Sequence, residues 1–329
     1  MKIKLFTHTD LDGVGCAVVA NVAFGAENVS VEYCDYNQIN DKIKYFLWNE
    51  VKANDYDRIF ITDISVDEET AEFINNHPLG KQRKIQLVDH HATALWLAEK
   101  YEWCEVRTEE SNLFPHPITN DKREKVLSSG TSLFYKFLRN KHLPNIQSNK
   151  TLKWFAERVR SYDCWEWSNV FNDNHPKKLN DLLYIVGREK FVERFSIDPL
   201  PAFNETESTI LEIEEHRINK YIWYKKKDVK KTVWKVGAEE YNIAYVFAEQ
   251  NISLLGNAIA EEYGNDVDFV VIINVSSNSI SLRGIHSDID LGRDVAKYYG
   301  GGGHPKASGF SINEQLREKL FQSIINMEE

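Results

Sequence analysis

From residue 1 to residue 91 a short strand-type run, a polar break and a helical period recur, and this repetition restricts the fold more than any other property of the chain. MKIKLFTH (1–8) alternates as a strand, and GVGCAVVANVAFG (13–25) is a small apolar helix stopped by Gly25. VSVEYC (29–34) is a second strand. The stretch NQINDKIKYFLWNEVK then carries Ile39, Ile43, Phe46, Leu47 and Val51 at helical spacing. DRIFITDIS gives a third strand ending in Asp63, VDEETAEFINNH an acid-headed helix, and KIQLVDHH a fourth strand. Helices inserted between successive strands permit parallel pairing. The expected fold class is therefore α/β, with an N-terminal parallel sheet carrying helices on both faces.

In such sheets ligands bind at the carboxyl ends of the strands. Three of these ends are polar: His8, Asp10 and Asp12 follow the first strand, Asp63 the third, and Asp89, His90 and His91 the fourth. Taken singly, each has an ordinary explanation, as a helix cap or a turn residue bonded to backbone amides. Taken together at one sheet edge, they resemble a ligand set. A buried carboxylate beside imidazoles is costly unless something neutralises it, and both groups are ligands for Mn²⁺, Fe²⁺, Co²⁺ or Zn²⁺. Two rival motifs fail. An EF-hand loop starting at His8 would need an acid where Val19 stands, and a dinucleotide fingerprint through Gly13 and Gly15 would need a small third residue where Val18 stands.

Residues 108–128 are polar and broken by Pro115 and Pro117, an expected excursion loop in which His116 is an ordinary surface histidine. GTSLFYKFLRN, KTLKWFAERVRSYDCWEW and PKKLNDLLYIVGREKFVERF are expected to be helical. Trp154, Phe155, Val159 and Tyr162 at helical spacing are core positions. Asp163 lies among Tyr162, Trp165 and Trp167, and a carboxylate in so apolar a setting needs a partner. Residues 205–231 have the composition of one long polar helix. Its basic end, with Lys225, Lys226, Lys227, Lys230 and Lys231 interleaved with Trp223 and Tyr224, reads as a solvated helix rather than a nucleic-acid track.

Beyond it KTVWKVG, YNIAYVF, DFVVIINV and SISLRGI are strands, with helices near 252–263, 291–299 and in NEQLREKLFQSIINM, making a second, smaller α/β domain with a mixed sheet. GGGGHPKASGF (300–310) places four glycines before His304 and Lys306. Glycine-rich backbone can line a concave anion site, and Arg283 could grip the same anion with a two-toothed guanidinium.

Net charge of −10 disfavours long duplex DNA, whose binding needs phosphate neutralised over a broad basic surface. The longest apolar runs, such as FVVIINV, fall short of the roughly 20 residues of a membrane span, and the start lacks a signal-peptide core, so a cytoplasmic protein without membrane contact is expected. Cys16, Cys34, Cys104 and Cys164 are widely separated, which argues for reduced packing residues.

With His8-x-Asp10-x-Asp12-Gly13, Asp63, Asp89-His90-His91, Asp163 and the Gly300–Gly309 segment in order, the chain closely resembles the DHH phosphoesterase family. It is similar to the branch carrying the DHH-associated C-terminal domain, and within it to the nanoRNase-type oligoribonucleases of Gram-positive bacteria. The resemblance implies a catalytic domain over 1–200, a linker helix over 201–231 and a C-terminal substrate-binding domain over 232–329. It implies two divalent cations, Mn²⁺ foremost with Mg²⁺ or Co²⁺ as alternatives. His8 and Asp10 would hold one ion, and Asp12, His90 and Asp163 the other, with Asp63 bridging. Asp89 would support His91, which would contact the scissile phosphate. Arg283, His304 and the backbone of Gly301, Gly302 and Gly303 would hold the terminal phosphate or nucleotide. The implied activity is hydrolysis of short RNA to mononucleotides. Alternatives are linear or cyclic dinucleotides, adenosine 3′,5′-bisphosphate, or a catalytically silent nucleotide-binding regulator. GGGHPKASG speaks against a type II inorganic pyrophosphatase. Expected partners are short single-stranded RNA or small nucleotides, with a homodimer as an allowed assembly.

Overall fold

The computed structural model describes residues 1–49, 55–111, 125–286, 288–312 and 318. They divide into two compact units, Met1–Leu211 and Glu212–Glu329. In the first, β1 (Ile3–Thr7) leads through α1 (Leu11–Phe24) to β2 (Val29–Tyr33), and α2 (Ile39–Trp48) leads on to β3 (Arg58–Thr62). Next, α3 (Glu68–Asn76) runs to β4 (Ile85–Asp89), and α4 (Leu95–Lys100) to β5 (Cys104–Val106). These strands form one parallel sheet in the order β2-β1-β3-β4-β5. The period-2 alternation of β1 sends Ile3 and Leu5 into one core and Phe6 into the other, so both faces are covered.

The first core is completed by a helical layer: α5 (Gly130–Asn140), α6 (Lys150–Asp163), α7 (His175–Val186) and α8 (Arg188–Ile197). Phe155, Phe191 and Phe195 cluster at its centre, with centroids of Phe191 and Phe195 4.6 Å apart and of Phe155 and Phe195 5.2 Å apart. Truncating one such buried ring to alanine costs about 3–5 kcal/mol. This layer positions the C-terminal end of α6, and with it Asp163.

Several expected boundaries move. Part of 108–128 forms two short strands that pair antiparallel, β6 (Glu109–Ser111) and β7 (Lys125–Leu127), while Pro115, His116 and Pro117 lie outside the described residues. The stretch 176–195 is two helices, not one, because Gly187 takes φ 81° between α7 and α8. The helix through 150–167 stops at Asp163, and Trp165 sits in the left-handed region with φ 56°.

The long polar helix, α9 (Glu205–Lys227), ends before Lys230 and Lys231, which belong to β8 (Lys230–Val236). The unit boundary falls inside α9. The second unit continues through β9 (Glu239–Phe247), α10 (Ile252–Tyr263), β10 (Phe269–Asn274) and β11 (Ser279–Gly284) to β12 (Gly302–His304) and β13 (Ala307–Ser311). The sheet order is β12-β13-β11-β10-β9-β8. It is mixed, since β9 and β10 pair parallel while the other described pairs are antiparallel. In place of a regular helix over 291–299, a π-helical turn, Leu291–Val295, is followed by a 3₁₀ turn, Ala296–Tyr299. Of the final expected helix, 313–327, only Glu318 is among the described residues, and it is helical. Among the described residues no helix is long and apolar enough to cross a membrane. All four cysteines are free.

Candidate metal centre and phosphate-binding residues

The order of the first sheet reverses at β1, whose neighbours β2 and β3 lead away on opposite sides. At such a switch point the chain leaves adjacent strands in opposite directions and opens a crevice. The polar strand ends converge there. Beneath them Thr62 donates its hydroxyl to Thr7 Oγ1 at 2.9 Å, and Thr7 donates to the carbonyl of Gly13 at 2.9 Å, tying the ends of β1 and β3 to the turn into α1. A Cβ on Gly13 would lie 2.3 Å from the carbonyl oxygen of His8, so only glycine permits that turn.

Asp10 caps α1 by accepting from the amide of Gly13, and Asp12 lies in the helix's first turn. The carboxylate of Asp12 is gripped from the opposite side by the N-terminus of α5. Gly130 and Thr131 donate their amides to Oδ2 and Oδ1 at 2.6 and 2.9 Å. Two helix starts thus converge on one carboxylate, where their partial positive charge favours the anion. Asp63 leaves β3 at φ 57°, a conformation that aspartate tolerates better than most residues, and its α-carbon abuts Gly130. At the end of β4, Asp89 Oδ1 accepts from the His90 amide and from His91 Nδ1, each at 2.8 Å.

Their ligand-type atoms fall into three overlapping groups, each with all its atoms within 4.8 Å of one another: His8, Asp10 and Asp63; Asp12, His90 and Asp163; and Asp63, Asp89, His90 and His91. His8 Nδ1 lies 2.9 Å from Asp10 Oδ2 and 4.0 Å from Asp63 Oδ2. His90 Nε2 lies 3.2 Å from Asp63 Oδ1, 3.6 Å from Asp12 Oδ2 and 3.7 Å from Asp163 Oδ2. Asp63 is 1% exposed, and its Oδ2 has no hydrogen-bond partner among the described residues; Asp89 Oδ2 is also buried without one there. Five carboxylates crowded around three imidazoles, with an orphaned oxygen on the most central of them, fit a site for divalent cations.

The electrostatics agree. Burial, then the charges of Asp12 and Asp10, push the carboxyl of Asp63 well above the usual carboxylate range, and burial and Asp12 do the same to Asp163. Burial, the largest single influence, opposes the charge of Asp10, but the bond to His8, its charge and the Gly13 amide together outweigh it and hold Asp10 below its ordinary value. Burial likewise opposes charge on His8 and His91, yet the carboxylates of Asp10 and Asp89 outweigh it and raise both imidazoles.

In the second unit the glycine run is not an open loop. Gly302–His304 form an edge strand paired with β13, because 305–306 turn the chain back on itself and Gly303, at φ 133°, leaves room for Ser308. The register aligns Arg283 with Ala307, and Ala307 with His304, placing all three on one face with the small alanine between the two polar residues. The guanidinium of Arg283 donates to Ser253 Oγ at 2.7 Å and to the Leu282 carbonyl at 2.9 Å. No carboxylate among the described residues pairs with it. By contrast the basic end of α9 is internally satisfied: Lys226 pairs with Glu262 and Lys225 reaches the Phe247 carbonyl, while Lys231 on β8 pairs with Asp266. Lys227 stands 3.2 Å above the Trp223 ring.

Sequence reasoning missed the Gly130–Thr131 amides and Tyr36, whose hydroxyl lies 3.0 Å from His91 Nε2. Ser129-Gly130-Thr131-Ser132 carries a helix-start signature, but nothing local says that it faces an aspartate 118 residues earlier.

No family model matches the chain. It is 36% identical over 318 residues to the oligoribonuclease NrnB of Bacillus subtilis, an alignment spanning 95% of this chain and 74% of that protein. It is 22% identical over 357 residues to a 3′,5′-cyclic-nucleotide phosphodiesterase of Helicobacter pylori, spanning 95% of this chain and 93% of that one. Among solved structures, the DHH domain of a member of the s1p family of ribosomal proteins superposes with a TM-score of 0.57 at 15% identity, over 100% of this chain and 87% of that one. With the strand-end carboxylates and imidazoles gathered as described, the chain belongs to the DHH phosphoesterase family, as a metal-dependent phosphodiesterase.

Proposed function

We propose that this phosphodiesterase hydrolyses RNA of a few nucleotides to mononucleotides, as a cytoplasmic enzyme using two divalent cations, Mn²⁺ foremost. The observation that carries the reading is the triple convergence at the ends of β1, β3 and β4, with a buried carboxylate oxygen on Asp63 left without a partner among the described residues. His8 and Asp10 would hold one cation, Asp12, His90 and Asp163 the second, and Asp63 both. When bound, the cations supply charge neutralisation at phosphorus and lower the pKa of the attacking water.

The chain's own groups do the positioning. The amides of Gly130 and Thr131 fix Asp12, and the helical layer fixes Asp163. Asp89 anchors Nδ1 of His91 and leaves Nε2 to meet a phosphate oxygen of the scissile diester, with the raised imidazole keeping a proton there to donate. In the second unit Arg283, a guanidinium with no carboxylate partner among the described residues, would hold a second phosphate together with His304 and the glycine backbone of Gly301, Gly302 and Gly303, where the Gly301 amide itself is bonded to the Ala296 carbonyl. The identity with NrnB supports RNA oligonucleotides as the substrate class.

A second reading, favoured by the relative from Helicobacter pylori, keeps the chemistry and takes cyclic nucleotides or dinucleotides as substrate. A timed digestion of end-labelled RNA from two to twenty-four nucleotides, with Mn²⁺ and with chelator, separates the two. Rapid loss of the shortest RNAs, abolished by chelator, supports the first. Inert RNA beside hydrolysed cyclic or linear dinucleotides supports the second.

A further inference from the structure

One side chain at the mouth of the site is used by none of these roles. β2 ends at Tyr33, and the turn behind it carries Tyr36 to the edge where β1 and β4 deliver their histidines. The turn is tied down on both sides. Thr9, in the loop after β1, donates to Asp35 Oδ1 at 3.1 Å, and the amides of Gln38 and Ile39 bond the Asp35 carbonyl. Held there, the Tyr36 ring lies 5.1 Å from that of His8 and 6.0 Å, edge-on, from that of His91. Its hydroxyl is 3.0 Å from His91 Nε2, and the residue is 53% exposed.

Asp89 already engages His91 Nδ1, so Nε2 is the ring's one remaining polar atom, and Tyr36 occupies it. A phosphate arriving at His91 must compete for that atom with a hydroxyl beside it that can itself donate. We propose that Tyr36 is a substrate-positioning residue: its hydroxyl holds the His91 ring in the free site and turns to a non-bridging oxygen of the same phosphate when substrate binds. No bond is made or broken. One hydrogen bond between side chains is exchanged for two charge-assisted bonds to an anion, which are the stronger kind. The ring itself, packed beside His8, bounds the crevice on the β2 side and remains when the hydroxyl is removed.

This assignment rests on the phosphate-contacting role given to His91, and two variants test it. Tyr36→Phe keeps the ring and loses the hydroxyl, and Tyr36→Ala loses both. Each is compared with the parent in saturating Mn²⁺ for hydrolysis of a five-nucleotide RNA and, by calorimetry, for binding of adenosine 5′-monophosphate. Metal binding is measured separately by titration with Mn²⁺ alone. The expectation for Tyr36→Phe is a loss of kcat/KM and a weakening of nucleotide binding, each of about tenfold, the scale of one hydrogen bond to a charged group. Mn²⁺ affinity should stay within twofold. Weakening of nucleotide binding below threefold, or a parallel loss of Mn²⁺ affinity that reveals a scaffold role, overturns the assignment. If the parent leaves RNA intact, the oligoribonuclease reading fails, and the nucleotide-binding comparison then decides Tyr36 by itself.

Discussion

Asp63 is where the cost of the site concentrates. Its carboxylate is buried, flanked by Asp10 and Asp12, and left with an oxygen that no group among the described residues bonds. Asp63→Asn removes a ligand and also a charge that destabilises the metal-free fold, so the two consequences have opposite sign. Hydrolysis should fall at least about 10²-fold, the scale of losing one charge-stabilising group. The melting temperature in chelator should rise or hold, and a clear fall in it would show the carboxylate to be paired. The same crowding sets a pH dependence. Asp63, Asp163, His8 and His91 all have raised folded values, so in chelator the folded state holds protons that the unfolded chain releases. Their stabilisation is present at low pH and lost as pH rises through the raised values. Asp10, whose value is lowered, acts oppositely, but only below roughly pH 4. Melting in chelator at pH 5, 6, 7 and 8 should therefore show stability declining as pH rises, and saturating Mn²⁺ should reverse the slope because binding displaces those protons. A flat profile in chelator would contradict the shifts.

Helix α5 shows how an element far away in sequence sets the geometry of a site. Its first two amides hold Asp12, and Gly130 packs so closely that a Cβ would stand 2.4 Å from that of Asp63. Gly130→Ala should thus push two carboxylates out of place at once. The expected result is a loss of Mn²⁺ affinity, read by titration, together with a stability cost of about 1–3 kcal/mol, the range for overpacking a tight contact. Unchanged affinity would mean that α5 is only scaffold. His8, Asp10, Asp12, Asp63 and the Asp89–His91 run were legible because each stands where a strand-type run ends, and strand ends in a parallel sheet share an edge. Asp163 was legible as a carboxylate in apolar company. The α5 amides and Tyr36 were not, since backbone donors carry no side-chain signature and a tyrosine in a turn has many uses. Gly302–His304 were read only as glycine-rich backbone lining an anion site, because glycine has little strand propensity; pairing with β13, not local preference, makes them a strand.

On the scale of the whole molecule, the proposed roles divide between the two units. Every group proposed to act at the scissile phosphate belongs to Met1–Leu211, whereas Arg283, His304 and the glycine edge belong to Glu212–Glu329. Binding energy gathered on a remote part of a substrate improves reaction only for substrates that possess that part. Arg283 is the residue on which this can be read. It lies on the face shared with Ala307 and His304, and among the described residues it has hydrogen-bond partners in Ser253 and Leu282 but no counter-charge. Removing a guanidinium that grips a phosphate loses about 1.5–3 kcal/mol. Arg283→Ala should therefore lower kcat/KM on a five-nucleotide RNA by about 10- to 100-fold, mostly through KM. Hydrolysis of bis(p-nitrophenyl) phosphate, too small to carry a second phosphate, should be within twofold of the parent. Equal losses on both substrates would place Arg283 in the hydrolytic step or the fold, and no loss on either would leave the second unit without the anion grip assigned to it. The two substrates assayed on one variant thus test the separation directly, because the small diester calls on the metal centre alone.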